Sequence, residues 1–298
     1  MAETSAIEHG PTAGEYIGHH LTHWQSGKQN GIIDFSVFNI DSLIWSITLG
    51  VLGLFVMWRV AKNMTSGVPG RMQAAVEILL EMVDTQAKSI VHNATSRKFV
   101  GPLALTVFMW VFLLNSMDFL PIDLFAKIFE ATHLDHTIHF FRVVPTADLS
   151  STLGMSTAVL LVCLYYNIKI KGLGGWGHEM ISAPFGTVHP KISNPLTWFG
   201  FALMSVLNLG MQLIEFTAKT VSHGMRLFGN MYAGELVFML IALMGAVGFG
   251  SATGWIMWLA HVVVGLGWAI FHILIVALQA FIFMMLTLVY VGQAHDAH

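Results

Sequence analysis

Charge is what this sequence has least of. Only 10% of its 298 residues are Asp, Glu, Lys or Arg, against about a quarter in soluble domains. That shortage excludes an ordinary soluble fold. The balance of charge is close to neutral and no basic patch exists, which excludes a nucleic-acid binder. A single cysteine, Cys163, lies in an apolar run, so no intrachain disulfide forms and the redox compartment is not legible from it. Phosphate loops, zinc motifs and nucleophile elbows are absent, so no site for covalent catalysis, no metal and no cofactor are expected. The start, Met1-Ala2-Glu3-Thr4-Ser5, is polar with no apolar core after it and does not read as a signal peptide.

Apolar residues make up 55% of the chain, in runs too long for core helices. Uncharged stretches from Ser42 to Trp58, Phe99 to Met117 and Leu149 to Ile168 predict three transmembrane helices. Between the first two, apolar residues recur at Met72, Val76, Leu79, Leu80, Val83, Ala87 and Ile90, with Ser66 as a candidate cap and Pro69 near the start. This predicts one amphipathic helix, lying along the membrane surface or packed on a partner. From about Asn194 to Gln293 the chain is apolar almost throughout, with a break over 248–254. Two helices of 40 residues or more are expected there, each reaching roughly 60 Å at 1.5 Å per residue. That is twice the hydrocarbon thickness, so they must tilt steeply, bend or break. The fold expected is therefore an all-α integral membrane protein, read as a single domain over 1–298. It has about five transmembrane helices, one amphipathic surface helix and a C-terminal hairpin of two long, steeply tilted helices over 194–293.

Basic residues give an orientation. Arg59, Lys62, Arg71, Lys88, Arg97 and Lys98 fall between the first two spans, and Lys169, Lys171 and Lys191 follow the third. The 1–39 segment carries only Lys28, and the loop from 118 to 148 has more acids than bases. The positive-inside rule then puts the polar N-terminal segment outside and the C-terminus in the cytoplasm.

An intramembrane charge is expensive and is usually kept for function. Arg226 is the last basic residue of the chain, and its guanidinium cannot escape burial by losing a proton. Lys219, Arg226 and Asn230 fall near one helix face, and Glu215 is four residues before Lys219, within pairing reach. Glu235 comes nine residues after Arg226, on the opposite side and roughly 13 Å further along, so each needs another partner or water. On the return helix His272 and Gln279 are seven apart on one face, and with Glu235 they can line one hydrated path. Two polar patches on either side of a fixed positive charge is the pattern of two half-channels that do not join. The plainer reading makes these groups glue between helices, with even weight for Glu215, Lys219, His223 and His261.

Other signals carry less. Gly172-Leu173-Gly174-Gly175-Trp176-Gly177 matches a dinucleotide fingerprint by letter but follows a membrane span, and reads as a loop. His133, His136 and His139 read as exposed loop histidines rather than metal ligands, and Asn93-Ala94-Thr95 as an accidental glycosylation sequon.

The string Arg226-Leu227-Phe228-Gly229-Asn230-Met231-Tyr232-Ala233-Gly234-Glu235 closely resembles the signature of the a subunits of bacterial F-type ATP synthases. So do Trp268-Ala269-Ile270-Phe271-His272-Ile273-Leu274 and Leu278-Gln279-Ala280-Phe281-Ile282-Phe283. Asn115-Ser116-Met117-Asp118, Leu120-Pro121-Ile122-Asp123, Arg142-Val143-Val144-Pro145-Thr146-Ala147-Asp148 and Lys169-Ile170-Lys171-Gly172 are similar too, and the likeness runs from about residue 40 to the end.

The resemblance implies a stator beside a rotating ring of c subunits, in a bacterial inner membrane. The b subunits of the peripheral stalk, the other ATP synthase subunits and membrane lipid would be its partners, with no nucleic acid. The residue matching Arg226 faces the ring, favours proton release from an approaching carboxyl, and blocks leakage between half-channels. Residues matching Asn230, Glu235, His272 and Gln279 go with the outward half-channel, and those matching Asn115, Asp118, Asp123 and Asp148 with its mouth. A path to the cytoplasm would pass near Lys219 and Ser222. Some relatives carry Glu where Gln212 aligns, and Glu215 can substitute for it one turn away. The alternatives are an autonomous ion-coupled secondary transporter and a membrane scaffold. A transporter would be supported by inverted repeats, and none is seen.

Overall fold

The computed structural model describes residues 14, 17–18, 21–27, 36–121, 124–133, 142–186, 195–246 and 250–293. Seven α-helices follow one another over these residues. They are α1 (Ile40–Lys62), α2 (Arg71–Ile90), α3 (Ala94–Ser116), α4 (Leu124–Ala131), α5 (Leu149–Ser182), α6 (Pro195–Gly245) and α7 (Ala252–Gly292). Single 3₁₀ turns lie at Met117–Phe119 and Pro145–Ala147. Among the described residues the one extended pairing is an isolated antiparallel bridge between Gln25 and Asn39. Five stretches are long and apolar enough to cross a membrane: Ile40–Lys62, Ala94–Phe119, Leu149–Ser182, Trp198–Gly245 and Ala252–Gly292. The chain is an all-α, multi-pass membrane protein.

The helix ends follow local chemistry more often than the hydropathy runs suggest. α2 begins at Arg71 behind Gly70, so Ser66 does not cap it. Gln73 instead accepts from the Thr65 amide at 3.2 Å and donates to the Thr65 carbonyl at 2.9 Å, closing the turn before the helix. Asn93 Oδ1 accepts from the Thr95 amide at 2.9 Å and caps α3, which gives the sequon asparagine a structural job. The glycine-rich stretch after the third span is not a loop. It continues α5, with one break at Gly172, whose φ of 71° suits glycine. Lys171 bridges that break to Glu179, its ammonium 2.7 Å from both carboxylate oxygens.

The chain divides into two compact units. The first comprises 1–53, 112–148 and 229–278, and the second 54–111, 149–228 and 279–298. In the first, α6 and α7 run antiparallel. Gly245 approaches His261, Ile241 approaches Gly265, and Phe238 packs against Trp268 and His272, one helix descending as the other climbs. His261 Nδ1 donates to the Ile241 carbonyl at 2.6 Å, so this histidine ties the two helices together.

The second unit holds the main apolar core. Val83, Ala87 and Val91 meet Val100 and Ala104 of α3, Tyr166 of α5, and Met284, Leu288 and Val291 of α7. Four of the seven residues of the expected apolar stripe of α2, Leu79, Val83, Ala87 and Ile90, thus face this core. Met72 and Leu80 remain exposed. Asn208 of α6 is fully buried and spans the end of α5. It accepts from the Phe185 amide at 3.1 Å and donates to the carbonyls of Ile181 at 2.6 Å and Gly186 at 3.1 Å.

Candidate functional site

Two polar centres emerge, one in each unit. In the first, Glu235 is buried on α6 and is gripped by Arg142 from the segment before the Pro145–Ala147 turn. The guanidinium presents Nε to Oε2 at 3.2 Å, and its terminal nitrogen Nη2 closes on the same oxygen. Two donors of one guanidinium thus converge on this carboxylate, a charge-assisted contact that lets an arginine and a carboxylate share a buried site. Removing either partner would leave an uncompensated charge. The Arg142 guanidinium also lies over the Tyr232 ring at 5.5 Å.

Beside this pair, His272 of α7 is fully buried and brings Nε2 to 2.6 Å from Asp118 Oδ2. The approach has ion-pair distance but not the alignment of a hydrogen bond, and neither ring nitrogen of His272 has a hydrogen-bond partner in the protein. Asn115, one turn before Asp118, is fully buried with both amide atoms unpartnered. Buried polar atoms in native proteins are normally satisfied, by water where protein groups do not reach. Gly234 makes the fit possible, since a β-carbon there would stand 2.5 Å from His272 Cε1 and 3.3 Å from Asp118 Oδ2.

The N-terminal segment belongs to this centre. The amide of Ile40 bonds the Trp24 carbonyl at 2.8 Å and the amide of Ser26 bonds that of Phe38 at 3.0 Å, which sets His23 against Asp41. The buried Asp41 carboxylate accepts from the amides of Trp24 and Arg142, both at 3.1 Å, and of Ser42 at 2.7 Å. Asn39 donates to Asp148 at 2.9 Å.

The second centre is a cavity of about 1160 Å³ within the second unit, lined by α5, α6 and the end of α7. Glu215, Lys219 and His223 of α6 border it, with Lys171, Glu179 and Tyr290. Glu215 and Lys219 pair at 2.6 Å across one turn, as their spacing predicts, and Lys219 also reaches Gln293 at 2.8 Å. His223 is buried, stacked on Phe283 with ring centroids 3.7 Å apart, and neither of its ring nitrogens has a hydrogen-bond partner in the protein.

The expected site residues divide accordingly. Glu235, His272, Asn115, Asp118 and Asp148 are all buried in the first unit. Asn230 is in that unit but exposed. Gln279 is buried and is the first residue of the last stretch of the second unit. Glu215 and Ser222 are exposed and Arg226 half-buried, all in the second unit. Asp123, His136 and His139 lie outside the described residues, and His133 ends the described part of that loop with φ 57°.

Sequence reasoning assigned no role to Arg142, Asp41 or His23. Arg142 had signals, as one of two basic residues in an acid-rich loop and as the first residue of a string resembling the family, but its partner is 93 residues away. His23 and Asp41 had none beyond being polar at the edge of a span.

Long apolar helices that carry forked ion pairs and buried imidazoles define a class. These are polytopic membrane proteins built around polar sites inside the helix bundle. Comparison with known proteins narrows this. The family profile described as ATP synthase A chain matches residues 43–292. An ATP synthase subunit a from Acidovorax sp. (strain JS42) is 63% identical over 296 residues, covering 99% of this chain and all of the relative. One from Paracidovorax citrulli (strain AAC00-1) is 61% identical over 299 residues with the same coverage. One from Psychrobacter sp. (strain PRwf-1) is 43% identical over 300 residues, covering 95% of this chain and 96% of the relative. The chain belongs to the ATP synthase A chain family.

Proposed function

We propose that this chain is the proton-conducting stator subunit of an F-type ATP synthase. The whole chain acts as one membrane domain in a bacterial inner membrane, and the helical hairpin over 194–293 carries the protons. It offers two offset aqueous half-channels to the carboxyl groups of a c-ring, so that proton flow turns the ring and drives ATP synthesis. The b subunits of the peripheral stalk hold it against rotation. The N-terminal segment faces the outside and the C-terminus the cytoplasm, as the basic residues after the first and third spans require.

The observation that carries this reading is the chain order on α6. The cavity residues Glu215, Lys219 and His223 come first, then Arg226, then buried Glu235 with His272 and Asp118 beside it. In this reading the outward half-channel runs by Asp148, Asp123, Asn115 and Asp118 to His272, Glu235, Asn230 and Gln279. The inward one uses the cavity by Glu215, Lys219 and Ser222.

Arg226 is the fixed charge between them. It stays protonated and carries no proton itself. Its field favours the ionised form of a ring carboxyl facing it. Lipid favours the neutral form, so a carboxyl must be reprotonated before it rotates away. A membrane potential adds about 2.3 kcal/mol per charge per 100 mV. Exposed positions around Arg226 are slender or flexible (Ser222, Met225, Gly229, Ala233), which suits close approach of another helix.

The test is ATP-driven proton uptake in inverted membrane vesicles carrying Arg226→Ala, with complex assembly measured on the same membranes. Uptake is expected to vanish while the complex remains assembled. Uptake near the parental level would overturn the mechanism and favour a scaffold role. The secondary-transporter alternative has no observation in its favour.

A further inference from the structure

His23 sits where a structural histidine has no reason to be so well connected. Its Nδ1 lies 3.3 and 3.2 Å from the two oxygens of Asp41, and its Nε2 lies 3.1 Å from Nη1 of Arg142. A guanidinium has five N–H donors and no acceptor. The contact with Arg142 therefore exists only if His23 Nε2 is the acceptor and carries no proton. The remaining proton must then be on Nδ1, directed at Asp41. The surroundings thus select one neutral tautomer of His23. A proton added at Nε2 would set two cationic donors against each other.

Among the described residues, three elements bring charged groups to this point. Asp41 of α1 faces Nδ1, Arg142 faces Nε2, and Glu235 of α6 takes the far side of the Arg142 fork. Asp148 is linked through Asn39, which also accepts from Gln25 at 3.2 Å. Arg142 is held on three sides: its amide by Asp41, Nη1 by His23, and Nε and Nη2 by Glu235.

We propose that His23 is a positioning residue for Glu235. In its neutral form it braces Arg142 as the counter-cation of Glu235, and protonation at Nε2 releases that brace. Histidine changes charge between about pH 5 and 8. Acid on the side bearing the N-terminal segment therefore loosens Arg142 and slows proton passage by Glu235. This gives the histidine-bearing N-terminal segment a function: it brings to the outward site a group that senses pH there. The proposal rests on the reading of Glu235 as part of the outward proton path.

The experiment is ATP synthesis by the whole complex reconstituted in liposomes, with the internal pH preset between 8 and 5. The driving force is held constant by a potassium diffusion potential. His23→Gln keeps an acceptor for Arg142 and a donor for Asp41 but does not titrate in this range. It is expected to match the parent at pH 8 and to lose the parent's decline toward pH 5. His23→Ala removes the brace and is expected to hold the rate, at every pH, about tenfold below the parent's rate at pH 8, so that the two converge toward pH 5; the loss is that of one hydrogen bond to a charged group. In an Arg142→Gln background the further effect of His23→Ala should vanish.

Parental rates in His23→Ala with full assembly, or a parental pH profile in His23→Gln, overturn the proposal. Glu235→Gln is measured alongside. If it synthesises ATP at the parental rate, the outward-path reading itself fails. If it is inactive while the His23 variants behave as the parent, only the role of His23 fails.

Discussion

Glu235 and Glu215 are two acids on one helix, and their surroundings treat them in opposite ways. Glu235 is buried and forked by Arg142, which is itself fixed by Asp41 and His23. Glu215 is exposed at a cavity and holds only Lys219, one turn along its own helix. A carboxylate out of water needs its counter-charge in a fixed geometry, because the loss of hydration is repaid only by close and well-directed contacts. A carboxylate in water needs nothing of the kind, and its ion pair contributes little. The setting of Glu235 is thus specified by long-range contacts and that of Glu215 by local spacing. Only the first should fail structurally when its partner is removed.

The largest effect is expected from Arg142→Ala. It leaves Glu235 buried without a counter-charge, at a cost of about 3–5 kcal/mol. Recovery of assembled complex from membranes should collapse, and Arg142→Lys, a charge without the fork, should restore it in part. Full assembly of Arg142→Ala would erase the distinction between the centres.

Gly234→Ala comes next. The added β-carbon meets the His272 ring at 2.5 Å from a helix backbone that cannot yield, and overpacking of this kind costs about 1–3 kcal/mol. ATP-driven proton uptake per assembled complex should fall by tenfold or more. Parental uptake would mean that the close packing of His272 against Asp118 has no bearing on transport.

Asn208→Ala probes structure without charge in the second unit. It strands the Phe185 amide and the carbonyls of Ile181 and Gly186, for about 1–3 kcal/mol. Limited proteolysis should cut near the end of α5 faster than in the parent, with Arg226-dependent transport retained. Equal cutting rates would remove Asn208 as the clamp.

Glu215→Gln should change stability least, by under about 1 kcal/mol. Thermal denaturation of the purified complex should match the parent. Any loss of proton uptake then reports transport rather than folding. A clear drop in thermal stability would show that the cavity centre is built like the buried one.

Much of this was legible in the residues. The spans, the amphipathic helix, the break before α7 and the Glu215–Lys219 pair all follow from hydropathy and from the 3.6-residue period, which are local properties. The special position of Arg226 follows from the cost of a charge that cannot be neutralised. Other features depended on contacts with no local trace. Ser66 does not cap α2, which begins behind Gly70, and the glycine run after the third span stayed helical because one glycine absorbs the break.

By itself, then, the sequence determined an all-α membrane protein and its likeness to a family, and it singled out a few acids, histidines and one arginine as candidates. It did so because burial in lipid punishes every polar residue without a purpose. Only the tertiary structure decided which of those residues meet. It gave Glu235 to Arg142 and His272 to Asp118, and drew His23 to Asp41 and Arg142. Those pairings join residues far apart in the chain, and a side chain's partner across such distances is set by how helices pack rather than by any period in the sequence.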